Sequence, residues 1–340
     1  MAAVLRSDDS RRDDARRLPV YALHLAVTAL GYCVAARIGL LKQIAVESAV
    51  VTPLWPATGV ALSCVVLLGL RVWPGIVLGD LLLLATMGPL KPVSAVLLAG
   101  NTLAPVCAYL MLRRVGFRRE LDRLRDGLAL VFLGALGGML ISSTVGVLVL
   151  LTTGQLPSEE FWPVWTAWWT GDAMGVLVFA PLLLALSRFR MPQWDGFRTA
   201  EAAALTVAAV AVTLFATRTS LGMLFLVFPL LIWAALRFQL AGGAPVAALI
   251  SVSAVISATD RVGPFSEHSL MEGMVVLQAL NGSAALTGLL LSAMVTEQRH
   301  VREGIEDVCV ELAEIVDQLA PGTAPRRWPL TGKGRQQEEH

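Results

Sequence analysis

Apolar runs of about 17 to 25 residues recur along this 340-residue chain, and they decide what it can fold into. A run of that length crosses a hydrocarbon core of roughly 30 Å as a helix. In that core every backbone donor and acceptor must be satisfied internally, so only helices and closed barrels span it. The runs are continuously apolar rather than alternating, which excludes a β-barrel. Hydrophobic residues make up 56% of the chain and charged residues 16%, against nearly half and about a quarter in a soluble domain. The fold class is therefore all-α, a polytopic transmembrane helical bundle with the lipid bilayer as its first partner.

About ten spans are expected, near 18–41, 54–70, 75–87, 92–112, 127–152, 161–186, 199–217, 221–236, 242–259 and 271–295. The count falls to eight if the short pairs 54–70 and 74–88, or 221–236 and 242–259, are partly re-entrant. Pro56 and Pro74 each follow a tryptophan at the start of a run, and proline fits a first helical turn, where its missing N–H costs nothing. Residues 1–18 mix arginines with aspartates, offer no apolar face and are expected to form a disordered cytoplasmic arm. The membrane domain then covers 19–297, an amphipathic heptad helix 298–320, and a disordered tail 321–340.

Charge placement orients the bundle. With the N-terminus inside, the inner connections hold Arg71, six arginines of 113–125, Arg188, Arg190, Arg198 and Arg237. The outer ones hold Lys42, Lys91, Arg218 and Arg261. Eleven against four follows the positive-inside rule and predicts a multi-pass protein of the inner, cytoplasmic membrane with both termini in the cytoplasm. The net charge of +1 points to no nucleic-acid partner.

The stretch Phe161–Pro181, FWPVWTAWWTGDAMGVLVFAP, organises the candidate chemistry. Trp162, Trp165, Trp168 and Trp169 suit a membrane–water interface. Asp172 follows, about ten residues deeper than the first tryptophan. A mid-bilayer carboxylate is costly and is a functional-site hypothesis by default; its bland alternative is a neutral or hydrogen-bonded acid that helps two helices pack. Asn101 and Asn281 reach similar depths, about ten residues into their spans, and Asp80 lies about seven residues into its own. Trp55 and Thr58 sit at the outer end of the second span. One pocket open to the outside would account for Asp172, Asn101, Trp55, Thr58, Trp168, Trp169, Asn281 and Asp80. The bland alternative for the asparagines is interhelical glue, about 0.6 kcal/mol each.

Residues 296–320 differ in kind. Val301, Ile305, Val308, Leu312, Ile315 and Leu319 are spaced 4, 3, 4, 3, 4, an a/d heptad seam that predicts either a paired helix, with a second copy or a partner protein, or a single amphipathic helix lying on the bundle. Three heptads are marginal alone, and Gly304 weakens the first turn. Tethering to a membrane bundle raises the effective concentration for pairing.

Catalytic signatures are absent. No Walker loop, dinucleotide fingerprint, H-E-x-x-H, G-x-S-x-G or kinase motif occurs. Cys33, Cys64, Cys107 and Cys309 form no C-x-x-C pair, and His24, His268, His300 and His340 have no metal spacing, so no cofactor or metal is expected. About 45 residues follow the last span, below what normally builds an unaided core, and no enzymatic output domain is expected.

Read in order, Pro53-Leu54-Trp55-Pro56-Ala57-Thr58-Gly59, Trp73-Pro74-Gly75, Gly100-Asn101-Thr102, Trp168-Trp169-Thr170-Gly171-Asp172, the Phe228–Phe238 stretch FPLLIWAALRF and Ala285-Leu286-Thr287-Gly288-Leu289-Leu290 are similar to the membrane-associated sensor domain of the first class, the MASE-one family. The likeness covers about residues 20–298. It implies an integral membrane sensory module of bacteria, of the kind that precedes histidine kinase, diguanylate cyclase, phosphodiesterase or phosphatase domains. On that likeness the chain is expected to detect a small molecule or a membrane partner and to relay it through the last span to a separate signalling output protein. A transporter, or the substrate-binding membrane subunit of one, is the alternative, because mid-membrane polar groups and short spans suit it too.

Overall fold

The computed structural model describes residues 2–46, 48–189, 196–267 and 270–319. They fall into two units, a bundle ending at Val295 and a second unit beginning at Thr296.

The chain opens with α1 (Ala2–Leu40). Helix α1 thus begins at Ala2, within the segment 1–18 that the sequence reading expects to be a disordered arm. Alanine, leucine and arginine are strong helix formers, and Asp8 and Asp13 precede arginines by three and four residues, a spacing that favours helix over coil. A short antiparallel hairpin follows, β1 (Ile44–Val46) and β2 (Ala49–Val51), with Ile44 opposite Val51. The sequence reading takes this stretch as loop. Burial explains the difference: Val46, Ala49 and Val51 pack with Val147, Leu156 and Val164, so the hairpin caps the ends of two later helices.

Helices α2 (Pro56–Leu68), α3 (Trp73–Met87) and α4 (Pro92–Arg114) begin where the proline signals place them, with Pro56, Pro74 and Pro92 each in a first turn. The fifth span is broken. It comprises α5 (Leu124–Ala129), a π-helical stretch over Leu130–Gly137, and α6 (Leu140–Thr152). Glycines at 134, 137 and 138 hold the α-ladder weakly, and the Gly138 N–H reaches back five residues to the Leu133 carbonyl at 3.0 Å. A Cβ at Gly138 would sit 2.5 Å from that of Ala108, so this glycine also lets the break approach α4.

Then come α7 (Phe161–Arg188), α8 (Gly196–Arg218), α9 (Val227–Phe238), α10 (Leu240–Thr259) and α11 (Leu270–Leu319). Eight segments are long and apolar enough to cross a membrane, and α2 and α9 lie within the two shorter apolar stretches. Bonds between the connecting segments group them at two ends. At one end Lys42 pairs with Asp260, Ser48 bonds Glu160, and Gln278 bonds the Pro53 carbonyl. At the other Arg188 pairs with Glu120 at 3.1 Å, Arg237 with Glu201 at 2.6 Å, and Tyr21 bonds the Arg71 carbonyl.

The main core is built from residues of α4, the π-helical stretch, α7, α9, α10 and α11, and a second cluster from α1, α2 and α3. The closest approach joins α2 to α7. A Cβ at Gly175 would fall 1.8 Å from the Trp55 carbonyl oxygen, and one at Gly171 2.3 Å from that of Thr52. These two glycines bring backbone against backbone, as small residues do between membrane helices.

In the second unit α11 continues as a solvent-exposed helix. Val301, Ile305, Val308, Leu312 and Ile315 of the expected seam are all exposed. The side chain of Leu319 and the tail 321–340 lie outside the described residues, as does His268.

Candidate functional site

The α2–α7 contact builds the site. Because Gly171 and Gly175 carry no side chains, the Trp55 N–H donates to the Gly171 carbonyl at 3.0 Å. The Thr58 hydroxyl lies 2.8 Å from the Trp55 carbonyl and 2.9 Å from that of Asp172. The Thr58 hydroxyl therefore fixes the helix turn from which the Asp172 carboxylate projects.

Asp172 is 3% exposed and Asp80 1% exposed. The Asp172 carboxylate accepts a short hydrogen bond from the Ser142 hydroxyl of α6, and Ser142 is also 3.0 Å from the Met139 carbonyl. The Asp80 carboxylate of α3 accepts from the Asn101 side-chain N–H of α4 at 2.9 Å. Tyr32 of α1, itself fully buried, lies beside Asp80 and the Trp55 indole. Asp80 and Asp172 are within electrostatic reach of each other, and Tyr32 is within reach of both.

Six helices thus contribute to one polar network: Tyr32 from α1, Trp55 and Thr58 from α2, Asp80 from α3, Asn101 from α4, Ser142 from α6 and Asp172 from α7. Among the described residues neither carboxylate is paired with Lys, Arg or His. Two acids in a bilayer core with only neutral donors around them is an expensive arrangement. Such an arrangement can hold positive charge, or release and accept a proton. Among the described residues no group of three or more His, Cys, Asp or Glu is placed to hold a metal ion.

Of the eight residues singled out from the sequence, five meet here: Asp172, Asp80, Asn101, Trp55 and Thr58. Trp168 and Trp169 do not join them. The Trp169 indole donates to the Leu136 carbonyl at 2.8 Å, using an acceptor released where the π-helical stretch ends, and stacks on Trp165 with ring centroids 5.6 Å apart. Trp168 fills the space left by Gly146, where a Cβ would sit 2.7 Å from its ring. Both therefore lock α7 against α6 and the π-helical stretch. Asn281 is fully buried on α11 and makes no hydrogen bond to the network.

Sequence reasoning missed Tyr32 and Ser142. Tyr32 stands in the first span beside Cys33 and looks like an interior aromatic; Ser142 belongs to a Ser-Ser-Thr run that reads as small-residue packing. A polar side chain at mid-span depth was the available signal for both.

No curated protein matches this chain, and no solved structure does. The sequence profile of the MASE1 family matches residues 24–299. That match takes in every helix of the network, from Tyr32 to Asp172, and continues through the membrane part of α11. On this coverage the chain belongs to the MASE1 family of membrane-associated sensor domains.

Proposed function

We propose that this protein is the input module of a bacterial signalling system, embedded in the cytoplasmic membrane with both termini in the cytoplasm. A small molecule or a membrane-embedded partner shifts the packing around Asp80 and Asp172, and the last helix relays the change to an output protein. The observation that carries this reading is the buried two-carboxylate network drawn from six helices. A ligand acts only through a difference in its affinity for two states, and a network with members on six helices is where such a difference alters several packing contacts at once. The arginine bias of one end supports the orientation. The chain has no catalytic role in this scheme.

The relay is a pairing of residues 301–319 with a second copy. The exposed seam of Val301, Ile305, Val308, Leu312 and Ile315 supports it. So does the charge pattern: with these residues at a and d, Glu303, Glu306, Asp307, Glu314 and Asp317 fall at b, c and f, facing away from a parallel partner. The flanking e and g positions hold Arg302, Gly304, Cys309, Glu311, Val316 and Gln318, which set no row of like charges against itself.

Cysteine crosslinking in native membranes tests the proposal, with Cys309 replaced and a single cysteine at Val308, Leu312 or Glu311. Strong crosslinking at 308 and 312 but not 311, with yields that change in an Asp172→Asn background, is the expected result. Absence of crosslinking at all three positions would sink the paired relay and put the transporter reading ahead, to be pursued by uptake assays with Asp172→Asn.

A further inference from the structure

A second polar site lies on the other side of α7. Asn281 is 0% exposed, and among the described residues neither its side-chain nitrogen nor its side-chain oxygen has a hydrogen-bond partner. Ser251 of α10 is likewise 0% exposed with an unpartnered hydroxyl. One turn before Asn281, Gln278 donates its side-chain N–H to the Pro53 carbonyl at 2.8 Å and leaves its buried oxygen without a donor.

The helix register places these groups together. Gly243 of α10 meets Gly288 and Ser292 of α11, and Gly288 meets Ala247. The two helices therefore run antiparallel here. Four residues beyond Ala247 is Ser251; four residues before Gly288 is Ala284, so Ser251 comes level with Ala284, one turn from Asn281. Gln278, Asn281, Ala285, Gly288 and Ser292 recur at intervals of three and four, so the two amides share the α11 face that α10 covers. The third wall is α7: a Cβ at Gly282 would lie 3.6 Å from the Met174 methyl. Met174 is two residues from Asp172, about 200° around the helix, which separates this site from the carboxylate network.

Buried polar groups in folded proteins are almost always satisfied, by protein or by something bound. In the bilayer core the alternative is an unpaired amide in hydrocarbon. Four unpaired atoms on two facing helices ask for an occupant that supplies both donors and acceptors. Residues 240–259 and 273–296 contain no Asp, Glu, Lys, Arg or His, so nothing here would balance a charged guest. We infer that Gln278, Asn281 and Ser251 form a binding site between α7, α10 and α11 for a neutral small molecule bearing a carboxamide or hydroxyl group.

Iodoacetamide, itself a small neutral carboxamide, is the probe. On a background with Cys33, Cys64, Cys107 and Cys309 replaced, single cysteines are placed at Ser251, at Asn281 and, as a dry control, at Ala293, which is also 0% exposed and packs against Gly127. Alkylation is followed in native membranes by mass shift. Ser251→Cys and Asn281→Cys should react at least tenfold faster than Ala293→Cys, and neutral amides such as acetamide should slow them. Ser251→Cys is nearly isosteric, so its folding is not in question. If Ser251→Cys stays as inert as Ala293→Cys, the two helices meet dry and the site does not exist. The readout needs no output partner, so it can fail while the crosslinking result stands, and the reverse.

Discussion

Gly175→Ala is the most direct test of the contact that builds the network. The added Cβ would meet the Trp55 carbonyl oxygen at 1.8 Å and the Thr58 hydroxyl at 2.5 Å. Reaching ordinary contact at 3.4 Å requires α2 and α7 to part by about 1.6 Å. Backbone of Trp55 cannot rotate away as a flexible side-chain tip would. The separation stretches the Thr58–Asp172 bond from 2.9 Å and the Trp55–Gly171 bond from 3.0 Å well beyond hydrogen-bonding distance. Overpacking a close contact costs about 1–3 kcal/mol, and each lost hydrogen bond about 1 kcal/mol, so the variant should lose about 3–5 kcal/mol. Steric-trap unfolding in bicelles measures this directly. Gly273→Ala is the control: it lies in a helix with open space around it, and should be neutral or gain up to about 1 kcal/mol from helix propensity. Equal stability of Gly175→Ala and wild type would refute the argument, because a 1.8 Å contact cannot be absorbed without moving the helices that carry Thr58 and Asp172.

Other variants probe the network member by member. Asn101→Leu removes the donor to the Asp80 carboxylate and should cost about 1–3 kcal/mol, whereas adding Asp80→Leu should recover part of that loss; a double-mutant cycle in the same unfolding assay reads the coupling, and additive losses would mean the pair does not interact. Trp169→Phe keeps an aromatic ring on α7 but deletes the donor to Leu136, so a loss of about 1 kcal/mol is expected, with crosslinking between α6 and α7 showing whether the π-helical stretch relaxes. The Arg237–Glu201 pair joins α8 to the end of α9 at 2.6 Å and is partly exposed. Its coupling should be about 0.5–1 kcal/mol and fall as salt is raised; a salt-independent value would show that the pair is effectively buried.

Much of the fold is legible in the sequence because the bilayer is a demanding solvent. Continuous apolar length forces helices, and Trp-Pro pairs start α2 and α3 where they stand. The same reading puts Asn101, Asp172 and Asn281 at similar depths. Depth is a one-dimensional quantity, however, and carries no information about rotation. Asn281 shares the depth of Asp172 yet serves a different face of α7, and Trp168 and Trp169 share its helix yet turn toward α6 and the π-helical stretch. Which residues meet was decided by the approach of α2 to α7 through Gly171 and Gly175, by the π-helical stretch whose end frees the Leu136 carbonyl, and by the hairpin whose burial the loop-like sequence 42–53 concealed. The sequence by itself determined that this chain spans a membrane as helices, since that follows from hydrophobic length alone. Only the tertiary structure decided that Tyr32 and Ser142 join two carboxylates in one network while Asn281 stands apart, because that depends on helix rotation and on backbone approaches that only packing in three dimensions sets.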